Sequence, residues 1–561
     1  MQKIFGILVL LLLNSCLFSV LPSVNSVESE QSIIIKSDGS ITGTDKIEHD
    51  DDYYYLTDDI NVSNFTLGIF AGITVQRDNI ILDGKGFSIQ NNALFSSGID
   101  LSGRSNVTLQ NLNIIGFCIG LYMFDGTSNN IIVENTIIGP SDQSFQIGIW
   151  LQGSTNDKLI NNTVKGYNEF GVYLYLTSNC YISGNVVTDN KIGISVEYST
   201  GNIFRDNQIY GNTENFLVAF KDFEDVVHDA DDSNIVNGKP IYYWVNKHNI
   251  SVPFDAGFVA LINCSGISVQ NLEISNNGVG ILCYSTTGSV IKNNTFELNG
   301  NAIEIRNSQN ITVSFNTING SIHSGIRLAS SYNIQIFENM LVNNAFGITL
   351  SGYNYQHTGY EGSNNVSIRC NNFTGNTPAI DVSRSNNNII SGNNFTDNGS
   401  AGIRLVNCQE NLVVNNTFTA NLAPAVYLSG ATNNIFYHNN FINNRTEGLS
   451  ISNPWFWGSG ESESNNWDNG YEGNYWSDHS TRYPNATELD NSSIWNTPFV
   501  INEVNIDHFP LTDPVEIELV TIPEFESYIM LLIIGTATFV ITVLVIIIYR
   551  KKIDYSVKQQ N

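Results

Sequence analysis

The chain has 561 residues, with 25 Lys and Arg against 53 Asp and Glu, so its formal net charge is −28. Hydrophobic residues make up 42% of the chain, which is enough for a large core and excludes wholesale disorder. A chain this acidic, with so few basic residues, repels phosphate backbones, and this excludes nucleic acid as a partner. An acidic surface suits divalent cations or simply keeps a protein soluble.

Residues 1–26 are predicted to be a signal peptide. A basic start precedes an apolar run over 4–20, and small residues lead to a cleavage point after Ser26. An alternative is lipid attachment at Cys16. We expect the mature chain to be exported, with residues 27–70 forming an N-terminal cap.

Residues 71–464 repeat the pattern Gly/Ala–apolar–x–apolar with a period of about 22 residues. The marker residues of the repeats are Gly98, Gly120, Gly148, Gly171, Gly193, Gly257, Gly280, Ala302, Gly325, Gly347, Ala379, Gly402, Ala425 and Gly448. A second marker, Asn-x-apolar, runs in step, with Asn at 135, 162, 185, 207, 294, 316, 339, 371, 393, 416 and 439. Two markers with one period indicate stacked structural units.

Each repeat contains short runs that alternate apolar and polar residues, separated by Asn, Gly and Ser. This is the periodicity of strands joined by turns, and no helical stripe accompanies it. The pattern predicts an all-β fold, a parallel β-helix of about fifteen coils spaced ~4.8 Å apart. The marker Asn side chains are then predicted to stack and to hydrogen-bond along a ladder.

Outward-facing aromatic residues are concentrated on three consecutive repeats. The second and fourth residues after a marker should face solvent, because strand side chains alternate between the two faces. On the repeats from Gly120 to Gly193 the candidate ligand-binding positions are Tyr122, Phe124, Trp150, Gln152, Tyr173, Tyr175 and Glu197. Aromatic faces beside amide and carboxylate groups suit the apolar face and hydroxyl edge of a sugar ring. The alternatives are that the aromatics merely favour strands, or that the loop 139–146 covers them.

An insertion is predicted near 222–250, where the repeat is interrupted. It carries an acidic cluster, Asp222, Glu224, Asp225, Asp229, Asp231 and Asp232. Oxygen ligands of this kind could hold Ca²⁺, but the cluster has no ordered ligand spacing and is more typical of a solvated loop. We therefore expect no cofactor, with Ca²⁺ as the alternative.

A hydrolase would need a catalytic acid pair on this outward column, flanking the scissile bond at ~5–9.5 Å. No two acids occupy this column on adjacent repeats. Instead Glu304 is predicted to face Arg327, and Asp381 to face Arg404, as exposed ion pairs. A polysaccharide lyase or glycoside hydrolase remains the alternative to a binding protein.

Cysteines and glycosylation sequons follow the repeat. Outside the signal peptide lie Cys118, Cys180, Cys264, Cys283, Cys370 and Cys408, whose differing phases predict buried free thiols. Many Asn-x-Ser/Thr sequons arise where Asn precedes Thr at a ladder position, as at Asn293 and Asn415. We expect these Asn residues to be buried and glycans to be restricted to loops and ends.

Several segments resemble the NosD-like family of right-handed parallel β-helix proteins of the carbohydrate-binding and sugar-hydrolase type. The matching segments are 233–244 and 256–259, similar to the family's insertion, and 466–470, 473–478, 497–499 and 507–511, similar to its C-terminal cap. The resemblance spans roughly 60–512 and implies a cap over 465–515. Between Asp478 and Thr497 the chain lacks the Gly/Asp-rich stretch common in such caps, which argues against a Ca²⁺ site there.

The resemblance also implies an accessory role in copper-site assembly, because the family includes an accessory protein of nitrous oxide reductase. Copper prefers thiolate, thioether or imidazole ligands in close proximity. The chain has eight well-separated His, four Met, and no Cys-x-x-Cys or His-x-His motif. These residues do not indicate a copper site.

The C-terminal region is predicted to anchor the protein. Residues 516–528 form a linker, 529–549 an uncharged transmembrane helix, and 550–561 a basic cytoplasmic tail. Pro523-Glu524-Phe525 with this helix resembles a prokaryotic, particularly archaeal, sorting signal, which implies processing after export.

Together these patterns predict a single-pass, cell-surface β-helix protein. Its expected partners are glycans or surface-layer components, in a binding, structural or adhesive role. Cleavage of polysaccharides and a copper accessory role are the two alternatives.

Overall fold

The computed structural model describes residues 33–62, 70–91, 96–140, 145–351, 362–444, 449–451 and 464–516. The predicted signal peptide and the predicted transmembrane helix at 529–549 lie outside these residues. Within the described ranges, no helix has both the length and the apolar character needed to cross a membrane. The chain divides into two compact units, residues 1–212 and 213–561, which are called unit 1 and unit 2.

Both units are right-handed parallel β-solenoids, and the predicted all-β fold of about fifteen coils is confirmed. Each regular coil contributes one short strand to each of three parallel sheets, because alternating apolar residues face inward while Asn, Gly and Ser supply the corners. The sheets are named A1, B1 and C1 in unit 1, and A2, B2 and C2 in unit 2.

The sheets of unit 1 are built from these strands. Sheet A1 contains Ile33–Ile35, Phe70–Val75, Ser96–Asp100, Ile119–Phe124, Ile147–Gln152, Phe170–Tyr175 and Ile192–Glu197, with Ile41–Thr42 antiparallel at its edge. Sheet B1 contains Tyr53–Leu56, Ile81–Asp83, Thr108–Gln110, Ile131–Val133, Lys158–Ile160, Tyr181–Ser183 and Ile203–Arg205, with Ile47–Asp50 antiparallel at its edge. Sheet C1 contains Ile60–Asn61, Ser88–Gln90, Asn113–Ile115, Thr136–Ile138, Thr163–Lys165, Val186–Thr188 and Gln208–Tyr210.

The sheets of unit 2 follow the same plan. Sheet A2 contains Lys239–Val245, Phe258–Ile262, Val279–Tyr284, Asn301–Arg306, Ser324–Ala329, Phe346–Ser351, Ile380–Ser383, Ile403–Val406, Val426–Ser429 and Leu449–Ile451. Sheet B2 contains Ser268–Gln270, Val290–Lys292, Thr312–Ser314, Gln335–Phe337, Ser367–Arg369, Ile389–Ser391, Leu412–Val414 and Ile435–Tyr437. Sheet C2 contains Glu273–Ser275, Thr295–Glu297, Thr317–Asn319, Met340–Val342, Asn372–Thr374, Asn394–Thr396, Thr417–Thr419, Asn440–Ile442 and Tyr475–Trp476.

The remaining elements of unit 2 lie before and after its regular coils. They are the strands Glu214–Ala219, Asp229–Ala230 and Ile235–Val236, the 3₁₀ turn Glu224–Val226, the short helix His479–Arg482, and the antiparallel strands Phe499–Val500 and Ile506–Asp507. The last three belong to the region predicted as the C-terminal cap. There the buried Asp507 carboxylate accepts hydrogen bonds from Trp476 Nε1 (2.9 Å) and from the Asn474 backbone N–H (2.7 Å).

The predicted Asn ladder is confirmed in both units. In unit 1, Asn135 Nδ2 donates to Asn162 Oδ1 at 3.0 Å, and the same bond recurs on the following coils. In unit 2 the ladder runs from Asn294 to Asn474, with Nδ2–Oδ1 distances between 2.9 and 3.0 Å. Each amide also bonds backbone groups, so the buried corners keep their polar groups satisfied.

The prediction that sequon residues at ladder corners are buried was wrong. Asn293 and Asn415 are exposed and adopt left-handed φ angles of 55° each. The ladder members are the next residues, Asn294 and Asn416, which are buried. Because the residue before each of them turns the chain outward, the sequon Asn faces solvent.

The predicted free thiols are confirmed. The described cysteines, at 118, 180, 264, 283, 370 and 408, form no disulfide, and all but Cys370 are buried. Small apolar side chains of this kind fill the solenoid interior without cross-linking the coils.

Candidate functional site

The predicted aromatic residues lie side by side on sheet A1. The strand register pairs Tyr122 with Trp150 and Trp150 with Tyr173. In the parallel column, Gln152 lies between Phe124 and Tyr175, and Tyr175 pairs with Glu197. All seven predicted positions therefore share one face, which we call the aromatic face.

The rings of the aromatic face contact each other along and across the strands. Trp150 is central, with its ring centroid 5.2 Å from that of Tyr122 and 5.9 Å from that of Tyr173. Tyr122 stacks on Phe124 at 5.8 Å, and Tyr173 lies 5.8 Å from Tyr175. Coil stacking at ~4.8 Å brings residues of equal phase into such contact.

The structure adds three aromatic residues that the sequence pattern missed. Phe170 stacks on Tyr173 at 4.3 Å, Tyr198 lies edge-on to Tyr175 at 5.8 Å, and Phe145 lies edge-on to Trp150 at 6.2 Å. Phe170 directly precedes its marker Gly171, and this position is not among the second and fourth residues after a marker that are predicted to face solvent. Tyr198 lies at the left-handed corner five residues after its marker Gly193, a repeat position outside the two columns, and Phe145 belongs to an inserted loop that has no repeat position.

The face is half-exposed. Phe124 is 36% exposed, and the other rings in the two columns are intermediate in burial. Phe145 of the loop 139–146 rests on the edge of Trp150, while residues 141–144 are outside the described part of the chain. Trp150 Nε1 is shielded from solvent and has no hydrogen-bond acceptor among the described residues.

Glu197 forms a polar border at one end of the aromatic face. Tyr173 Oη donates to Glu197 Oε2 and Ser195 Oγ donates to Oε1, each at 3.1 Å. Burial raises the pKa of Glu197, and the two hydrogen bonds only partly oppose this. Burial and the nearby Glu197 charge raise the pKa of Tyr173, so its hydroxyl stays protonated as a donor.

The opposite end of the face lies next to Asp100, which pairs with Tyr122 in the strand register. Burial and the Asp100 charge raise the pKa of Tyr122 to about 12. The tyrosines are therefore neutral at physiological pH. The face presents apolar ring surface with carboxylates at its two ends.

The acids of the outward column in unit 2 differ from their predicted state. Glu304 and Asp381 are 3% and 5% exposed, not surface groups. The strand register places Glu304 opposite Arg327 and Asp381 opposite Arg404, as predicted. Asp381 forms an ion pair with Arg404, and Glu304 also bonds Arg306, two residues along its own strand. The flanking side chains are long enough to cover the short acidic ones, which the alternation pattern alone does not reveal.

These two carboxylates do not form a hydrolytic pair. Three coil spacings separate Glu304 from Asp381, about 14 Å, whereas hydrolysis needs ~5–9.5 Å. Burial alone would raise the pKa of Glu304. The charges of Arg306 and Arg327 and the hydrogen bonds from Arg306 and Asn301 outweigh that effect and lower it.

Two family models match this chain. The model described as "Periplasmic copper-binding protein (NosD)" matches residues 37–244 and 353–481, and the one described as "Right handed beta helix region" matches residues 233–359. No curated protein matches the chain.

Among solved structures, similar folds occur at low sequence identity. The Dettilon tailspike protein is 13% identical, with a TM-score of 0.21, and the match covers 68% of this chain and 62% of the tailspike chain. A point mutant of the periplasmic alginate epimerase AlgG is 11% identical, with a TM-score of 0.22, covering 78% of this chain and 99% of that chain. The Azotobacter vinelandii mannuronan C-5 epimerase AlgE4 A-module is 14% identical, with a TM-score of 0.21, covering 71% and 88%.

Proposed function

We propose that this chain, which belongs to the family described as "Periplasmic copper-binding protein (NosD)", is an exported glycan-binding protein. The aromatic face of unit 1 is the proposed binding site. Export agrees with the periplasmic description of the family. Anchoring at the cell surface through residues 529–549 is part of the same proposal.

The observation that carries this proposal is the continuous ring surface centred on Trp150. Tyr122, Trp150 and Tyr173 contact one another on three successive coils. Rings spaced in this way can cover the CH-bearing faces of consecutive sugar residues. Gln152 and Glu197 lie in the adjacent column, where their polar atoms can bond sugar hydroxyl groups.

Copper binding, which the family description names, does not fit the donor set. Copper sites need several imidazole, thiolate or thioether ligands that converge. In the described part of the chain, no group of three or more His, Cys, Asp and Glu residues is placed to hold a metal ion. The thiols are mostly buried and lie apart along the chain, and burial raises the pKa of Cys180 to about 12, which disfavours the metal-binding thiolate.

The proposal is tested by replacing Trp150. A central aromatic residue in a binding patch typically contributes ~2 kcal/mol or more, so Trp150→Ala should weaken glycan binding at least tenfold. The measurement is a glycan-array screen with the purified protein, followed by titration of the best ligand against parent and variant. Folding should be retained, because the side chain lies on the outer side of sheet A1.

Tyr210→Ala is the matched control. Tyr210 is an aromatic strand residue of unit 1, but it lies on sheet C1 and is 45% exposed. Its replacement should leave binding unchanged. Equal affinity of the Trp150 variant and the parent, or an array without any bound glycan, would contradict the proposal.

A further inference from the structure

Sheet A2 carries a row of guanidinium groups that the aromatic face lacks. The strand register places Glu304, Arg327, Thr349, Asp381, Arg404 and Tyr427 in one outward column. Arg306 lies in the neighbouring column beside Glu304. We call Arg306, Arg327, Thr349, Arg404 and Tyr427 the arginine face.

A buried carboxylate fixes the orientation of Arg404. Its Nε and Nη2 atoms donate to Asp381 Oδ1 and Oδ2, each at 2.8 Å. The Asp381 side chain is 8% exposed and that of Arg404 is 41% exposed. Because Asp381 takes only one edge of the guanidinium, the Nη1 edge can donate to a second carboxylate.

A second buried carboxylate organises the other end of the arginine face. Glu304 accepts hydrogen bonds from Arg306 and from Asn301 Nδ2, the latter at 3.0 Å. The Arg306 guanidinium also lies over the Phe220 ring, 4.5 Å from its centroid. Arg327 is close enough for its charge to stabilise ionised Glu304. Pre-oriented donors lose little entropy when a ligand binds.

A segment of unit 2 bounds this face on one side. Phe220 and Phe223 pack on Tyr284, with ring centroids at 5.0 Å and 6.0 Å. Tyr284, in the coil before Arg306, is thereby only 4% exposed. The Arg306 side chain, beside this segment, is 17% exposed, and the open part of the face runs from Arg327 to Tyr427, whose side chains are intermediate in burial.

We propose that the arginine face binds a carboxylated polysaccharide. Three guanidinium groups and two carboxylates of these strands leave one net positive charge, in a chain whose net charge is −28. The acidic residues Asp222, Glu224 and Asp225 belong to the segment at the Arg306 end, which is four coil spacings, ~19 Å, from the strand of Arg404. Charges farther than ~8 Å are largely screened at physiological salt, so they act little on a carboxylate bound at Arg404. Planar guanidinium groups suit carboxylates, while the Thr349 hydroxyl and the Tyr427 ring suit sugar hydroxyls and ring faces.

The ligand spans several sugar residues. Arg327 and Arg404 are three coil spacings apart, ~14 Å, so one ring cannot contact both. This site extends glycan binding to a second, anionic class of glycan. It uses no residue of the aromatic face and stands or fails independently of it.

The test measures binding of polygalacturonate to the full-length protein. Arg327→Gln should weaken this binding at least tenfold, because it removes a charge-assisted contact and leaves Glu304 bonded to Arg306. The double variant Asp381→Asn/Arg404→Gln removes both members of the other ion pair together and should have a similar effect. Circular dichroism melts of each variant check that the fold is retained.

Arg369→Gln is the matched control, since Arg369 is an arginine of unit 2 on sheet B2, stacked on Phe337. It should bind polygalacturonate as the parent does, and Trp150→Ala should do so as well. Neutral dextran should bind no more weakly to Arg327→Gln than to the parent.

The proposal is overturned if the parent does not bind polygalacturonate, or if Arg369→Gln loses as much affinity as Arg327→Gln. If the parent binds dextran sulfate as tightly as polygalacturonate, and Arg327→Gln weakens both equally, the assignment of a carboxylated ligand is overturned.

Discussion

Asp157 is a buried acid in the corner column that also holds Asn130, Cys180 and Asn202. It lies at a corner of unit 1, and its Oδ1 accepts hydrogen bonds from the Asn130 backbone N–H (2.7 Å) and Nδ2 (3.0 Å). Its Oδ2 is 3.3 Å from Thr127 Oγ1, and the residue is 0% exposed. Burial raises the pKa of Asp157 to about 6, although these hydrogen bonds oppose the shift.

This shift makes the stability of unit 1 depend on pH. The folded pKa of Asp157 exceeds the unfolded value of ~3.9, so the folded chain binds this proton more tightly. The resulting stabilisation is complete below about pH 4 and is lost as the pH rises through about 6. A shift of this size corresponds to about 2 to 3 kcal/mol of unfolding free energy.

Asp157→Asn should therefore stabilise the protein at neutral pH. The amide oxygen can still accept from Asn130, and the new N–H₂ group can donate to Thr127. Asn202, in the same column, makes the equivalent bond to Thr177 Oγ1 at 3.1 Å. Denaturant unfolding should show a gain of roughly 1 to 3 kcal/mol at pH 8 and no difference below pH 4. The control Asp125→Asn replaces an exposed acid and should change neither value, and a variant less stable than the parent at pH 8 would contradict the argument.

At the scale of elements, stacked phenylalanines hold sheet C2 to the interior of unit 2. Phe373, Phe395 and Phe418 are each 0% exposed, with centroid distances of 4.9 Å and 4.6 Å between neighbours. Their rings are almost parallel, because equal phases on successive coils superimpose them. Every coil therefore supplies one layer of the same core.

Phe395→Ala should destabilise unit 2 by about 3 to 5 kcal/mol, since the rings above and below cannot close the cavity. Thermal or denaturant unfolding followed by circular dichroism measures this loss. Phe315→Ala is the control, because Phe315 is 41% exposed and its removal should cost less than about 1 kcal/mol. Similar losses for the two variants would show that the stack contributes little beyond a surface ring.

The coil, the ladder and the aromatic columns were predictable because each depends on a residue's position within the repeat, counted from its marker. A residue at equal phase on the next repeat lies directly beside it, as Tyr122, Trp150 and Tyr173 do. Exposure was less predictable, because it also depends on the lengths of neighbouring side chains. Arg306 and Arg404 cover the acids beneath them, and no period encodes that coverage.

At the scale of the whole molecule, a regular backbone carries chemistry that differs from one unit to the other. The same sheet position holds aromatic rings in unit 1 and guanidinium groups in unit 2. The inward-facing side chains and the Asn ladder hold the coils together, so the outward positions can vary without affecting the fold. Family membership therefore specifies the solenoid, while the ligand depends on the outward residues of this particular chain.

Copper binding, which the family description names, tests whether family membership specifies the ligand as well as the solenoid. We expect the full-length protein, loaded with copper and dialysed against a weak chelator, to retain clearly less than stoichiometric metal by elemental analysis. The physical reason is the donor inventory: eight His and four Met are spread over 561 residues, and no cluster of ligands forms within the described ranges. Lysozyme, carried through the same loading and dialysis, controls for non-specific retention. Stoichiometric retention would contradict this expectation. Replacing His357, which lies outside the described residues, would then show whether that segment supplies the ligands.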